Sequence, residues 1–446
     1  MPDVEAWGFD PRKPVVVGLD AVPARCLEVA LVPLRVRHDS PALGGTLGGM
    51  SATSPRTILD DDVLAALRDR AIAADDDNAF PLGDLEDLRE LGYLRLHVPR
   101  QFGGGGLTLE QLVHVQKRLA TAAPATALAL GMHQVVTGIA RTTHERGDAS
   151  MDWVLREIVD GEVYALGISE AGNDAVLFDS TVRAEPDGDG GYRLSGTKIF
   201  TSLSPVWTRL CVFGRDDSDP EHPRLVHGVV RRDDAGITIH DDWDTLGMRA
   251  TRSCSTTFDH VHVPASRVLA TLPVGPNAEP FTFAVFANFL LLIGAAYLGV
   301  SERALRIAID AVEQRTSLVA GGAPLSDDEL VRSDVAELGI PHLSALVQLE
   351  ATARDVDEQA AHGSAWFPRL TAAKLQATTV ARRSVEGALD LVGGAGYRSS
   401  HELSRLSRDV LASIFHPSQQ RSVRRTFANW LLGPVNRPDA QRAADD

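Results

Sequence analysis

The chain has 446 residues, 44% hydrophobic and 23% charged, which suits a globular protein of two or three domains rather than a disordered one. Lys and Arg total 44 against 60 Asp and Glu, and a net charge of −16 excludes most non-specific nucleic-acid binding and disfavours docking on anionic membranes. Cys26, Cys211 and Cys254 stand far apart with no CxxC pair, so neither a disulfide framework nor a structural zinc site is expected, and a reducing cytoplasm is the default location.

Residues 1–49 mix Pro, Gly and one short apolar run without a sustained period, and read as an extension ahead of a translation start at Met50. No basic start leads into an apolar stretch there, so no secretion signal is expected. From 56 to 160 the pattern is helical: VLAALRDRAIAA, then LEDLRELGYLRLHV, then a long run that opens on a Thr108–Gln111 capping-box pair. The glycines of QFGGGG at 101–106 follow no apolar strand and lack dinucleotide-site spacing, which makes them a helix-connecting turn.

Residues 161–272 switch to short strands. DSTVRAE and YRLSGTKIF flank the turn cluster PDGDGG as a hairpin, and LCVFGR, RLVHGVV, GITIH and STTFDHVHV follow. Pro264 and the turn-rich TLPVGPNAEP close the region. His260 and His262 alternate along one strand without a third ligand, the pattern of a surface pair rather than a metal site. Residues 277–435 are helical again, with breaks expected at GGAPL, GIPH and GGAGY, and 436–446 form a tail. Residues 281–300 carry no charge and are long enough to cross a bilayer, but acidic Glu279 and Glu302 flank them and the helical period continues into SERALRIAIDAVEQR, so a buried core helix is expected.

A series of widely spaced segments occurs in order: LGISEAGND at 166–174, GYRLSGTKIFTS at 191–202, LGMRAT at 246–251, FDHVHVP at 258–264, AK at 373–374, LVGGAGY at 391–397 and RD at 408–409. Together they resemble the signatures of the acyl-CoA dehydrogenase superfamily of flavoproteins, over residues 56–435. The resemblance implies an α+β fold with an N-terminal helical domain, a central β-barrel and a C-terminal four-helix bundle. It also implies FAD between barrel and bundle, and a homotetramer in which a neighbouring subunit completes the site. By that resemblance Ser169 and Ser202 match hydroxyls at the flavin ring, and Phe200 the aromatic that covers it. Arg315 matches an arginine at the FAD pyrophosphate, where a fork of donors suits phosphate oxygens. Gly393 and Gly394 match a turn close to the nucleotide, Asp390 stands where the family often has Gln, and Asn173 falls on the substrate-facing loop in place of a serine.

A typical member oxidises an acyl thioester, CoA-bound or carrier-bound, with a glutamate removing the α-proton, and can pass its electrons to an acceptor flavoprotein. In this chain the usual glutamate place, after the RD signature, holds Pro417 in IFHPSQQ, and the alternative place on the first bundle helix falls near Asn288 and Phe289. His416 is the nearest titratable group, as either a base beside the flavin or a helix-end histidine; His133, in GMHQVV, is a weaker candidate. The leading expectation is thioester α,β-dehydrogenation with a relocated base. The alternatives are a flavin monooxygenase using His416 and a non-catalytic subunit of a mixed oligomer.

Overall fold

The computed structural model describes residues 58–434; the extension assigned to 1–49 and the tail at 436–446 lie outside the described residues. Asp60 accepts a hydrogen bond from the Val63 amide at 2.8 Å and so starts helix α1 (Asp61–Asp76). Helix α2 (Leu82–Glu90) stops short of the expected run, because Gly92 turns the chain at φ +75° into a 3-10 turn at Tyr93–Arg95. The capping box forms as expected. Gln111 N donates to Thr108 Oγ1 at 3.2 Å and Thr108 N to Gln111 Oε1 at 3.1 Å, opening α3 (Leu109–Ala120). The long helical run then divides at Pro124, which begins α4 (Pro124–Glu145); α5 (Asp152–Val159) follows.

Eight strands form one mixed sheet in the order β6-β7-β3-β2-β4-β5-β8, with β1 added parallel to β4, and Thr316–Ser317 and Ala323–Pro324 pair in a separate two-stranded antiparallel sheet. Their ranges are β1 (Tyr164–Gly167), β2 (Arg183–Pro186), β3 (Tyr192–Lys198), β4 (Arg209–Asp216), β5 (Arg224–Arg231), β6 (Ile237–Ile239), β7 (Thr256–Val263) and β8 (Val268–Pro273). The β2–β3 hairpin pairs Arg183 with Ser195 and Pro186 with Tyr192, as the turn cluster predicts. β8 is a strand where the sequence reads as turn: its proline ends the strand, and its only partner among the described residues is β5.

The C-terminal helices are α6 (Pro280–Gln314), α7 (Glu329–Asp357), α8 (Trp366–Val392), α9 (Glu402–Asp409) and α10 (Gln420–Leu432). α6 is buried throughout 284–301 and packs against α8, α4 and α3, so its apolar surface meets protein on every side. The break expected at GIPH does not occur, and Pro341 sits inside α7. Packing carries the helix across it: His342 reaches Ser301 on α6 at 2.9 Å, and Ala345 and Leu349 are fully buried beyond. Asp357, at the end of α7, accepts from the Leu109 and Glu110 amides at 2.8 and 2.9 Å, so the bundle caps a helix of the N-terminal region.

His133 has a structural role. Its Nδ1 accepts from the Tyr164 amide at 3.1 Å, so Nε2 carries the proton and donates to Leu94 O at 2.8 Å. Burial pushes this imidazole down to about 4, and His342 likewise to about 4. In the unfolded chain both titrate near about 6.5. Folded pKa values below the unfolded ones mean that stability is intact above about pH 6.5 and is lost as pH falls toward 4. Urea titrations should find the unfolding free energy falling by at least about 1.4 kcal/mol per pH unit in this window, with one proton fewer in the slope for His133→Gln. A flat profile from pH 7 to 4.5 would contradict the assignment.

Candidate functional site

Three places gather the residues singled out from the sequence. The first is a shelf at the exits of β1 and β3. Ile199 N donates to Ser169 O at 2.8 Å, which sets the Ser169 turn beside the segment carrying Phe200 and Ser202. Phe200 has φ +57° and is 55% exposed, with its ring edge-on to Trp243 at 5.8 Å. A large aromatic held in the left-handed region and left half open is a ready platform for a flat ring. Behind it Ser202 Oγ lies 2.8 Å from Ser253 Oγ, which lies 2.7 Å from Thr251 Oγ1.

The shelf loop at 169–181 is built on a buried ion pair. Glu170 meets Lys198 Nζ and also accepts from Ser180 Oγ, from Thr181 N and from Thr181 Oγ1 at 2.8 Å. Burial opposes its charge, but the Lys198 ammonium and these donors hold the carboxyl down at about 2. Lys198 is pushed down to about 8 by burial against that attraction, and its Nζ sits 3.6 Å from the centre of the Phe213 ring. Asn173 is drawn into the same cluster. Its Nδ2 donates to Glu170 at 3.1 Å and to Asp179 O at 2.9 Å, and its Oδ1 accepts from Ala175 N at 3.0 Å. In this structure Asn173 orders the loop through both of its polar atoms.

The second place surrounds His416. The barrel segment 246–251 docks on the end of α9: Met248 N donates to Asp409 Oδ1 at 2.6 Å, and a Cβ on Gly247 would lie 2.2 Å from Arg408 O, so only glycine allows that approach. The chain then passes through a 3-10 turn at Val410–Ile414 to His416. Lys374 Nζ on α8 donates to His416 O at 2.8 Å and Ser418 O at 3.1 Å, tying this turn to the bundle. The rings of His416 and Tyr297, on α6, are 5.7 Å apart at 54°. Both His416 Nε2 and the Tyr297 hydroxyl are buried without a hydrogen-bond partner among the described residues. Burial, then the Lys374 ammonium, pushes His416 down to about 3, so the imidazole is uncharged near neutral pH. Burial and then Asp409 push Tyr297 up, which keeps its proton in place. At the two positions where a base is expected there is no carboxylate: Pro417 adjoins His416, and Asn288 is fully buried, donating to Thr142 Oγ1 at 3.2 Å and Ala284 O at 2.9 Å.

The third place is a groove at the far end of the bundle, where Arg315, Asp390 and Gly393 meet. Arg315 Nη1 donates to Leu391 O at 3.0 Å and Val392 O at 2.9 Å, closing the C-terminus of α8. Gly393 takes φ +69° beside that guanidinium, while a Cβ on Gly394 would meet open space. The same groove is lined by Asp334, Glu337 and Glu386 with Arg383.

Tyr297 was not singled out by sequence reasoning, and Lys198 and Lys374 entered only as members of the GYRLSGTKIFTS and AK segments, with no role given to them. Each lysine interrupts a run of small or apolar residues, SGTKIF and TAAKLQA, and that interruption is the available signal. Phe200→Ala should raise the dissociation constant for flavin roughly 5- to 30-fold, about 1–2 kcal/mol of lost stacking, read by quenching of flavin fluorescence. Unchanged quenching would remove Phe200 from the platform.

Models of the acyl-CoA dehydrogenase N-terminal, middle and C-terminal domains match residues 56–149, 165–261 and 284–415. An L-evernosamine nitrososynthase from a Micromonospora strain is 31% identical over 378 residues, 81% of this chain and 86% of that one. A dibenzothiophene monooxygenase of Rhodococcus erythropolis is 30% identical over 396 residues, 81% of this chain and 91% of that one. A crystal structure of KijD3 with FMN and dTDP-3-amino-2,3,6-trideoxy-4-keto-3-methyl-D-glucose superposes with a TM-score of 0.72 at 30% identity, covering 88% of this chain and 97% of that one.

Proposed function

The chain belongs to the acyl-CoA dehydrogenase family of flavin-dependent proteins, and from that premise we propose that it is a flavin monooxygenase, one that oxygenates a nucleophilic nitrogen or sulfur of a small substrate. The observation that carries this reading is the lack of a carboxylate at both base positions, Asn288 and Pro417. Thioester dehydrogenation needs a group that accepts the α-proton near neutral pH, and an imidazole held at about 3 is a poor one. A neutral imidazole beside a neutral phenol suits a different task, holding and orienting a polar reactant through hydrogen bonds. The nitrososynthase and monooxygenase relatives support the same direction.

The shelf residues fit a flavin ring: Phe200 offers an open aromatic face and Ser202 a buried hydroxyl. Reduced flavin would supply two electrons, so that one atom of dioxygen enters the substrate and the other leaves as water. Tyr297 and His416 would hold the oxygen or the substrate heteroatom with their unpartnered polar atoms, and the buried wall of α6 would keep bulk water out. For the flavin itself we favour FMN over the FAD expected from the sequence. The groove at Arg315 would set a pyrophosphate among Asp334, Glu337, Glu386 and Asp390, and Arg315 already serves two carbonyls. Binding of FMN at least as tight as FAD is expected; FAD tighter by more than about tenfold, about 1.4 kcal/mol, would overturn that choice.

The oxygenase reading is tested by supplying photoreduced FMN in air with a panel of primary amines and thioethers. Protein-dependent oxygen uptake with an N- or S-oxidised product is expected. Uptake that no substrate converts into product would contradict it.

A further inference from the structure

The hydroxyls behind the shelf have only one consistent direction. Thr251 Oγ1 lies 2.9 Å from Met248 O, and a carbonyl oxygen can only accept, so Thr251 donates there. Its single hydrogen is then engaged, and in the 2.7 Å contact with Ser253 it must accept, which makes Ser253 the donor. Ser253 in turn has no hydrogen left, so across 2.8 Å Ser202 donates to Ser253. All three are buried, Thr251 at 0%, Ser253 at 5% and Ser202 at 8% exposure, so water does not compete for these bonds. Ser202 keeps two lone pairs, and no donor reaches them among the described residues.

We infer that Thr251 and Ser253 are positioning residues that fix Ser202 as a hydrogen-bond acceptor, and that this polarity makes the shelf select reduced over oxidised flavin. The inference rests on the placement of the flavin ring proposed above, with Ser202 at the nitrogen of its central ring, where the resemblance to the GYRLSGTKIFTS signature sets that hydroxyl. The central ring of oxidised flavin presents a bare nitrogen that needs a donor. Two-electron reduction adds a hydrogen to that nitrogen and turns it into a donor. An acceptor-only serine complements the reduced ring and faces the oxidised one lone pair to lone pair. The shelf therefore takes up reduced flavin made elsewhere and releases it after oxidation, which a monooxygenase supplied from outside requires.

The test compares anaerobic binding of photoreduced FMN with binding of oxidised FMN. Wild-type protein should bind the reduced form about tenfold tighter or more, which raises the two-electron midpoint potential of bound FMN by about 30 mV per tenfold. In Thr251→Val the Ser253 hydrogen loses its acceptor and turns to Ser202, whose own hydrogen then faces the shelf. The preference should fall to near unity, and Ser253→Ala should do the same by freeing that hydrogen. Thr251→Ser keeps the chain of bonds and should keep the preference, which loss of packing alone would not predict. Equal preference in wild type, Thr251→Val and Ser253→Ala would overturn the inference, as would tighter binding of the oxidised form by wild type. Oxygenation with an unchanged ratio in the variants sinks the relay and leaves the oxygenase standing; a shifted ratio without oxygenation does the reverse.

Discussion

His416→Ala should lower product formation by roughly 10²-fold or more, the usual scale for removing a preorganised hydrogen-bonding group from a reacting centre, while oxygen uptake continues and ends as peroxide. The expectation follows from the surroundings of the ring. Among the described residues Nε2 is buried without a partner beside the equally unpartnered Tyr297 hydroxyl, and the backbone that carries it is held by Lys374 through two carbonyls. A neutral imidazole acts by its hydrogen bonds, so His416→Gln, whose amide can also donate and accept, should recover part of the coupling, and a base could not be replaced this way. The pH profile gives a second reading. With the imidazole held at about 3, no acid limb near its ordinary value of about 6.5 should arise from this residue. Full coupling in His416→Ala would remove the residue from the chemistry.

Glu170→Gln should destabilise the protein by about 3–5 kcal/mol, a large part of the 5–15 kcal/mol that typically holds a domain together. It leaves the Lys198 ammonium buried between Phe213 and an amide that cannot balance it. Lys198→Met should cost a similar amount by stranding the carboxylate. The double variant should lie closer to wild type than the sum of the singles, because the desolvation of both charges disappears with them. Chemical denaturation of the four proteins measures this directly, and additive losses would mean that the pair is not coupled. Because Glu170 also holds Ser180, Thr181 and Asn173, the single variant should weaken flavin binding as well.

The parts of this molecule that were legible in the sequence are those written locally. The Thr108 capping box, the β2–β3 hairpin and the buried α6 follow from residues within a few positions of one another. What escaped depends on distant partners. Pro341 reads as a break, but α7 continues through it because His342 and Leu349 pack on other helices. His416 stands out by its place beside Pro417, but its neutrality comes from burial and from Lys374, 42 positions earlier. That Asn173 is held by Glu170 and by the Asp179 carbonyl is likewise absent from any local pattern. The Ser202–Ser253 bond joins hydroxyls 51 residues apart, and no local pattern reveals it.

The most direct test of the oxygenase reading is an anaerobic titration of the protein loaded with oxidised flavin, using acyl-CoAs of several chain lengths and following the visible flavin band. With no carboxylate at 288 or 417 and an imidazole too weakly basic to take an α-proton, the band should persist with every thioester and bleach only on addition of an external reductant. Bleaching by any acyl-CoA, with formation of the enoyl product, would contradict the monooxygenase reading and restore thioester dehydrogenation.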